Sequence, residues 1–114
     1  MKTKAALKSL AALAQESRLA IFRLLVEQGP EGLPVGMIAE RLDIAAATLS
    51  FHLKELSHAK LVLVRQEGRF IYYSTNFDTM LGLTSFLTEN CCGKPAKIMP
   101  LCTSSLKQGR GRKA

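Results

Sequence analysis

The chain has 114 residues, 47% of them apolar, and a formal net charge of +7. That length fits one domain with a modest core, and the apolar content excludes a disordered protein. No apolar run approaches the ~20 residues of a membrane helix, and three cysteines do not make a secreted disulfide framework, so a cytoplasmic protein without membrane attachment is expected.

The charge is unevenly placed. Lys107, Arg110, Arg112 and Lys113 carry four positive charges within the acid-free stretch Thr103 to Ala114. The rest therefore holds about +3, a moderate bias toward polyanions. Met1 to Arg18 looks superficially like a signal peptide. Lys8 interrupts its apolar stretch, however, and the helical period continues into Arg18 and Leu19, which argues against that reading. From about Lys4 to Ala14, the residues Leu7, Leu10, Ala11 and Ala14 form one stripe of an amphipathic helix. A second helix starts near Glu16 and Ser17, carries Leu19, Ile21, Phe22, Leu25 and Val26, and ends before Gly29-Pro30. After the turn Gly29 to Gly32, Pro34 suits the first turn of a third helix, with Met37, Ile38 and Leu42 as its inner stripe.

Asp43-Ile44 then leads through a short turn into a fourth helix, Ile44 to Leu56, where Leu49, Leu53 and Leu56 share an inward face. Ala46, Ala47, Ser50 and Lys54 fall on the other face, small and hydroxylated first and basic further on. Helix, short turn, helix is the helix-turn-helix pattern, and such a surface suits close approach to DNA. An ordinary surface helix would read much the same, so the following segment matters. Leu61 to Val64 and Phe70 to Tyr73 are apolar, β-favouring runs, joined by Arg65-Gln66-Glu67-Gly68-Arg69 with a glycine for the positive φ of a hairpin. A β-ribbon after such a helix makes the wing of a winged helix-turn-helix. Arg65 and Arg69 flank its tip, within reach of phosphate or the minor groove. From Asn76 a last helix runs to about Asn90, capped by Asn76 or Asp78. Met80, Leu81, Leu83, Phe86 and Leu87 cover more than one of its sides, so a second buried face is expected. With the first helix, that face suggests a homodimer. The fold class expected is mainly α with a small β-hairpin, a winged helix-turn-helix over residues 1–90 that dimerises through its first and last helices.

The string Thr48-Leu49-Ser50-Phe51-His52-Leu53-Lys54-Glu55-Leu56, then Leu61-Val62 and Gly68-Arg69-Phe70-Ile71-Tyr72-Tyr73, resembles the ArsR/SmtB family of winged-helix repressors. The segment Arg18-Leu19-Ala20-Ile21-Phe22-Arg23-Leu24-Leu25 is similar to that family's early helix, and the likeness covers roughly residues 5 to 90. It implies a homodimer that represses an operator on double-stranded DNA until an inducer binds. On that basis Ala46, Ala47, Thr48, Ser50, Phe51, His52, Lys54, Arg65 and Arg69 are the expected DNA-binding residues. His52 is expected on phosphate or at the groove face, and Phe51 against the wing or a thymine methyl. His58 is expected as a solvated helix-end residue. The chain departs from the family's metal sites. Leu33-Pro34-Val35-Gly36-Met37 holds no cysteine where many members carry a pair, and the last helix offers Asp78 and Glu89 but no histidine.

Cys91, Cys92 and Cys102 remain as ligands, in the segment 91–114. A disulfide between neighbours would be strained, yet two adjacent thiolates can bind one large soft ion. Gly93, Pro95 and Pro100 allow Cys102 to fold back, and Lys94 and Lys97 favour the thiolates. Three thiolates suit trivalent arsenic, with antimony as the alternative, and a zinc site would want a fourth ligand. Some arsenic-responsive members resemble this arrangement. The competing readings are a redox pair involving Cys102, inert thiols, and a metal-buffering protein with no operator. No organic cofactor is expected. No enzyme is expected either, because no nucleophile with a nearby base, acid pair, phosphate loop or open metal site appears. The tail Ser104 to Ala114 reads as disordered.

Overall fold

The computed structural model describes residues 1–93. Cys102 and the basic tail lie outside the described residues, so the expectations placed on them are not addressed by the fold.

Helix α1 spans Thr3–Leu13 and α2 spans Glu16–Gln28. Gln15 caps α2, its side chain accepting from the Arg18 N–H at 2.9 Å. A two-residue strand β1, Leu33–Pro34, precedes α3, Val35–Leu42, and α4, Ala46–His58, follows. Between these two helices Asp43 adopts φ 53°, a left-handed conformation that aspartate tolerates better than bulkier residues, and the chain turns within three residues. Helix α4 ends in a Schellman turn: the Leu61 N–H bonds to the Leu56 carbonyl at 3.0 Å and that of Lys60 to Ser57 at 2.9 Å. Lys60, not glycine, holds the left-handed position at φ 62°.

Strands β2, Val62–Glu67, and β3, Phe70–Thr75, form the hairpin, with Gly68 at φ 61° in its turn as its sequence required. Helix α5, Phe77–Thr88, is capped by Asn76, whose side chain accepts from the Thr79 N–H at 3.4 Å. A 3₁₀ turn, Cys91–Gly93, follows.

The sheet has three strands in the order β1-β3-β2, all antiparallel, with Leu33 opposite Tyr73 and Val62 opposite Thr75. The hairpin expectation lacked β1. Two residues, one of them proline, carry no periodic signal, and their pairing is long-range. Pro34 therefore caps α3 from the sheet instead of sitting in its first turn. Gly32, at φ 73°, lies so close to β3 that a β-carbon would run into the Tyr73 carbonyl.

Ile21, Leu25, Ile38, Leu49, Leu56 and Leu61 are fully buried and, with Leu53 and Leu33, join α2, α3 and α4 to the sheet. Burying each contributes about 1.5–3 kcal/mol. Helix α1 turns Ala6, Ser9 and Ala12 inward, so the stripe of Leu7, Leu10, Ala11 and Ala14 faces outward, Leu7 at 61% exposure. Met37 is likewise at the surface of α3, leaving Ile38 as its anchor. On α5, Leu83 is buried while Leu81 and Leu87 are exposed, and α1 packs beside this helix.

Candidate nucleic-acid interface

Helix α4 is held from behind by Leu49, Leu53 and Leu56, which fixes its outer face. Ala46, Ala47, Ser50 and Lys54 are exposed there, as their spacing predicted, and Thr48 and Phe51 are exposed with them. The helix begins at Ala45, which supplies no side-chain cap, and its first turn contains no acid. Its leading N–H groups and the positive end of its dipole are thus open to an anion, beside methyl side chains that let a phosphate backbone come close.

His52 corrects the sequence reading. It is buried, 7% exposed, because it sits three residues after Leu49 and four before Leu56, on the inward stripe. The ring meets Arg18, whose Nη1 lies 3.3 Å from Nδ1. A guanidinium has no acceptor, so Nδ1 takes the hydrogen bond. Arg18 Nε also donates to the Ala12 carbonyl at 2.6 Å, so one side chain ties the end of α1 to the middle of α4. His52 thus positions the helix and offers no outward-facing contact. Arg18, which the sequence reading assigned no place in the site, is its partner. The similarity of Arg18-Leu19 to a family motif was the only signal for it.

The wing's two arginines differ. Arg65 pairs with Glu67 at 2.7 Å, donates to the Glu31 carbonyl at 3.2 Å and lies 4.6 Å above the centre of the Tyr72 ring, its cross-strand neighbour. It lies along the ribbon. Arg69, at the turn, is exposed and makes no ion pair among the described residues. Between α4 and the wing lies an open groove of about 610 Å³, where Ser50 and Lys54 face Arg69 with Ser57, His58 and Tyr73. Two cations and three hydroxyls across one groove suit a phosphate chain. Ala46, Ala47, Thr48, Phe51 and Arg65 lie outside that groove, the first four still on the exposed helix surface. Phe51 packs edge-on against the His52 ring, centroids 5.5 Å apart, and remains 55% exposed. Phe70, 60% exposed near the wing tip, also lines the groove, and its position in an apolar strand run gave no hint of that.

Beyond α5, Cys91 and Cys92 bring their sulfurs to 3.5 Å. Asn90, Cys92 and Gly93 all have positive φ, which folds the chain sharply at the pair. Among the described residues no group of three histidine, cysteine or acidic side chains could hold a metal ion. The expected third ligand, Cys102, lies outside them.

A family model described as a helix-turn-helix domain matches residues 13–65. The uncharacterized HTH-type transcriptional regulator YceK of Bacillus subtilis is 43% identical over 68 residues, 60% of this chain and 67% of that protein. The arsenical resistance operon repressor of the same organism is 35% identical over 81 residues, 71% of this chain and 73% of the repressor. Among solved structures, the homodimeric winged helix-turn-helix DNA-binding domain of Mb0332 from Mycobacterium bovis, described as a possible ArsR-family regulator, superposes with a TM-score of 0.62. Identity there is 29%, covering 75% of this chain and 77% of that one.

Proposed function

Because the chain belongs to the ArsR family of winged helix-turn-helix transcriptional regulators, we propose that it is a cytoplasmic homodimeric repressor, released from its operator when trivalent arsenic binds Cys91, Cys92 and Cys102. The observation that carries the DNA reading is the exposed face of α4 meeting Arg69 of the wing across one groove. Ala46 and Ala47 let the backbone approach the open helix end, Thr48 and Ser50 offer hydroxyls to base edges, and Lys54 and Arg69 neutralise phosphates. A second copy fits the exposed leucines of α1 and α5, and it would present a second α4 to a second half-site.

The cysteine pair supports the inducer reading. With metal–sulfur bonds of about 2.3 Å, taking the zinc value, a 3.5 Å separation corresponds to an angle of roughly 100° at the ion, suited to a pyramidal three-coordinate centre. Cys102 would supply the third thiolate. Left-handed backbone at Asn90 and Cys92 is the kind of local strain that collects at ligand clamps. The pair lies just beyond α5, the proposed dimer helix, so closing a three-thiol site would act on the dimer that spaces the two α4 helices. The inducer must bind the DNA-free form more tightly than the operator complex.

The test is fluorescence anisotropy on duplex DNA from upstream of the gene, with arsenite or antimonite added, for wild type and each cysteine-to-serine variant. Saturable, sequence-specific binding that arsenite reverses in wild type alone supports the proposal. Release that persists in the Cys102→Ser protein eliminates the three-thiol site. Release by peroxide, restored by dithiothreitol and indifferent to arsenite, would move the reading to a redox sensor.

A further inference from the structure

A second groove, of about 410 Å³, lies between the start of α1 and the turn that ends α4, with the first turn of α5 closing one side through Thr79. Lys2, Lys4, Lys8, Lys60 and His58 line it, and no carboxylate among the described residues does. Ser9 lines it too. That residue is 1% exposed, and no side-chain hydrogen bond within the described residues takes up its hydroxyl. We propose that this groove is a binding site for a small polyphosphate, a free ligand carrying several phosphates, separate from the DNA surface.

Three features on different elements favour it. Lys4 and Lys8 stand one turn apart on α1, a like-charge spacing that destabilises a helix, and the first turn holds no acid to offset them. Lys60 occupies a left-handed position that glycine would take without steric cost, so an ammonium is kept there against a backbone penalty. Ser9, on the groove wall, adds a hydroxyl that makes no hydrogen bond among the described residues. A bound polyanion answers all three: it neutralises the lysines and accepts from the serine.

The position argues for a free ligand over the operator. At ~1.5 Å rise per residue, the groove end of α4 stands roughly 18 Å from the end that carries Ala46 and Ala47. The α1 lysines border the outward Leu7 and Leu10 stripe, Lys4 lying one turn before Leu7. Lys60 and His58 hold the far side of the groove at the end of α4, so a second copy docked on the leucines would sit beside the groove. Its walls come from α1, α4 and α5. A ligand there would touch both proposed dimer helices and the base of the DNA-facing helix.

The test is isothermal titration of the full chain with sodium tripolyphosphate in dilute buffer at fixed salt. A saturable Kd below ~1 mM is expected, weakened at least tenfold in Lys8→Gln/Lys60→Gly and unchanged in Arg69→Gln. Lys60→Gly removes the charge while relieving the backbone, and circular dichroism checks the fold; Lys4→Gln/Lys8→Gln, on an exposed helix face, serves if that variant unfolds. Absence of saturable binding overturns the proposal. So does an equal loss in Arg69→Gln, or a loss of affinity for a random 20-base-pair duplex in the lysine variants as large as in Arg69→Gln, because either assigns the cations to one DNA-binding field. None of these outcomes depends on whether arsenite releases the operator.

Discussion

Single residues carry unequal burdens here, and two of them show it through the backbone and a buried hydroxyl. Gly32 must stay glycine, since its φ of 73° and the Tyr73 carbonyl leave no room for a β-carbon. Gly32→Ala should lower stability by about 2–4 kcal/mol, read as a lower urea midpoint with an unchanged slope. Thr75 is the reverse case. Its Oγ1 is buried without a hydrogen-bond partner among the described residues, in a residue 2% exposed. Thr75→Val keeps the shape and removes an unsatisfied donor, so it should raise stability by about 1 kcal/mol in the same experiment. An unchanged or lower midpoint would mean that the hydroxyl has a partner, such as an ordered water. Neither residue could be picked out beforehand. One depends on a strand that pairs across the chain, and the other on where the hydroxyl of an ordinary strand residue comes to rest.

Elements explain which parts of the site were legible. The α3–α4 pair and the wing were: apolar spacing gives the inward face of α4 and the Ile38 anchor of α3, and turn chemistry at Asp43 and Gly68 sets the ends. The β-favouring runs give the two strands, although Leu63, Val64, Phe70 and Ile71 stay exposed. The same spacing rule covers His52, which falls between Leu49 and Leu56 on the inward stripe, although an imidazole by its polarity suits a solvent- or phosphate-facing position equally well. Strand β1 left no local trace. Arg65 and Arg69 look equivalent as sequence, and only the Glu67 and Tyr72 contacts separate them. Arg69→Ala should therefore weaken operator binding several-fold and flatten its salt dependence by about one unit of slope. Arg65→Ala should act mainly by loosening the wing, and equal changes in slope would contradict that division. The open start of α4 separates stability from function. Ala45→Asp would cap the helix and add about 0.5–2 kcal/mol of stability, while placing a carboxylate where phosphate is expected. Thermal unfolding should move up and DNA affinity down, and a rise in both would place the backbone contact elsewhere.

For the whole molecule, the question is how a chain of this size grips an operator. One copy offers a single α4 and a few cations, enough for weak, salt-sensitive attraction. Specificity at physiological salt calls for two half-sites, hence two copies held at a fixed spacing. The fold leaves apolar side chains out in a pattern that suits this, since α1 turns Leu7 and Leu10 away from its own core and the adjacent α5 does the same with Leu81 and Leu87. Large apolar side chains gathered on adjoining helices are better explained by a covering partner than by solvent. Leu7→Glu/Leu10→Glu should therefore leave circular dichroism near that of wild type, because neither side chain is buried within one copy. Sedimentation should shift from dimer to monomer, and affinity for a full operator should fall at least a hundredfold, while affinity for a half-site stays within a fewfold. If the double variant remained dimeric, another surface would make the pair. If it became monomeric yet bound the full operator as wild type does, the two-copy model of recognition would be wrong, because one α4 would then suffice.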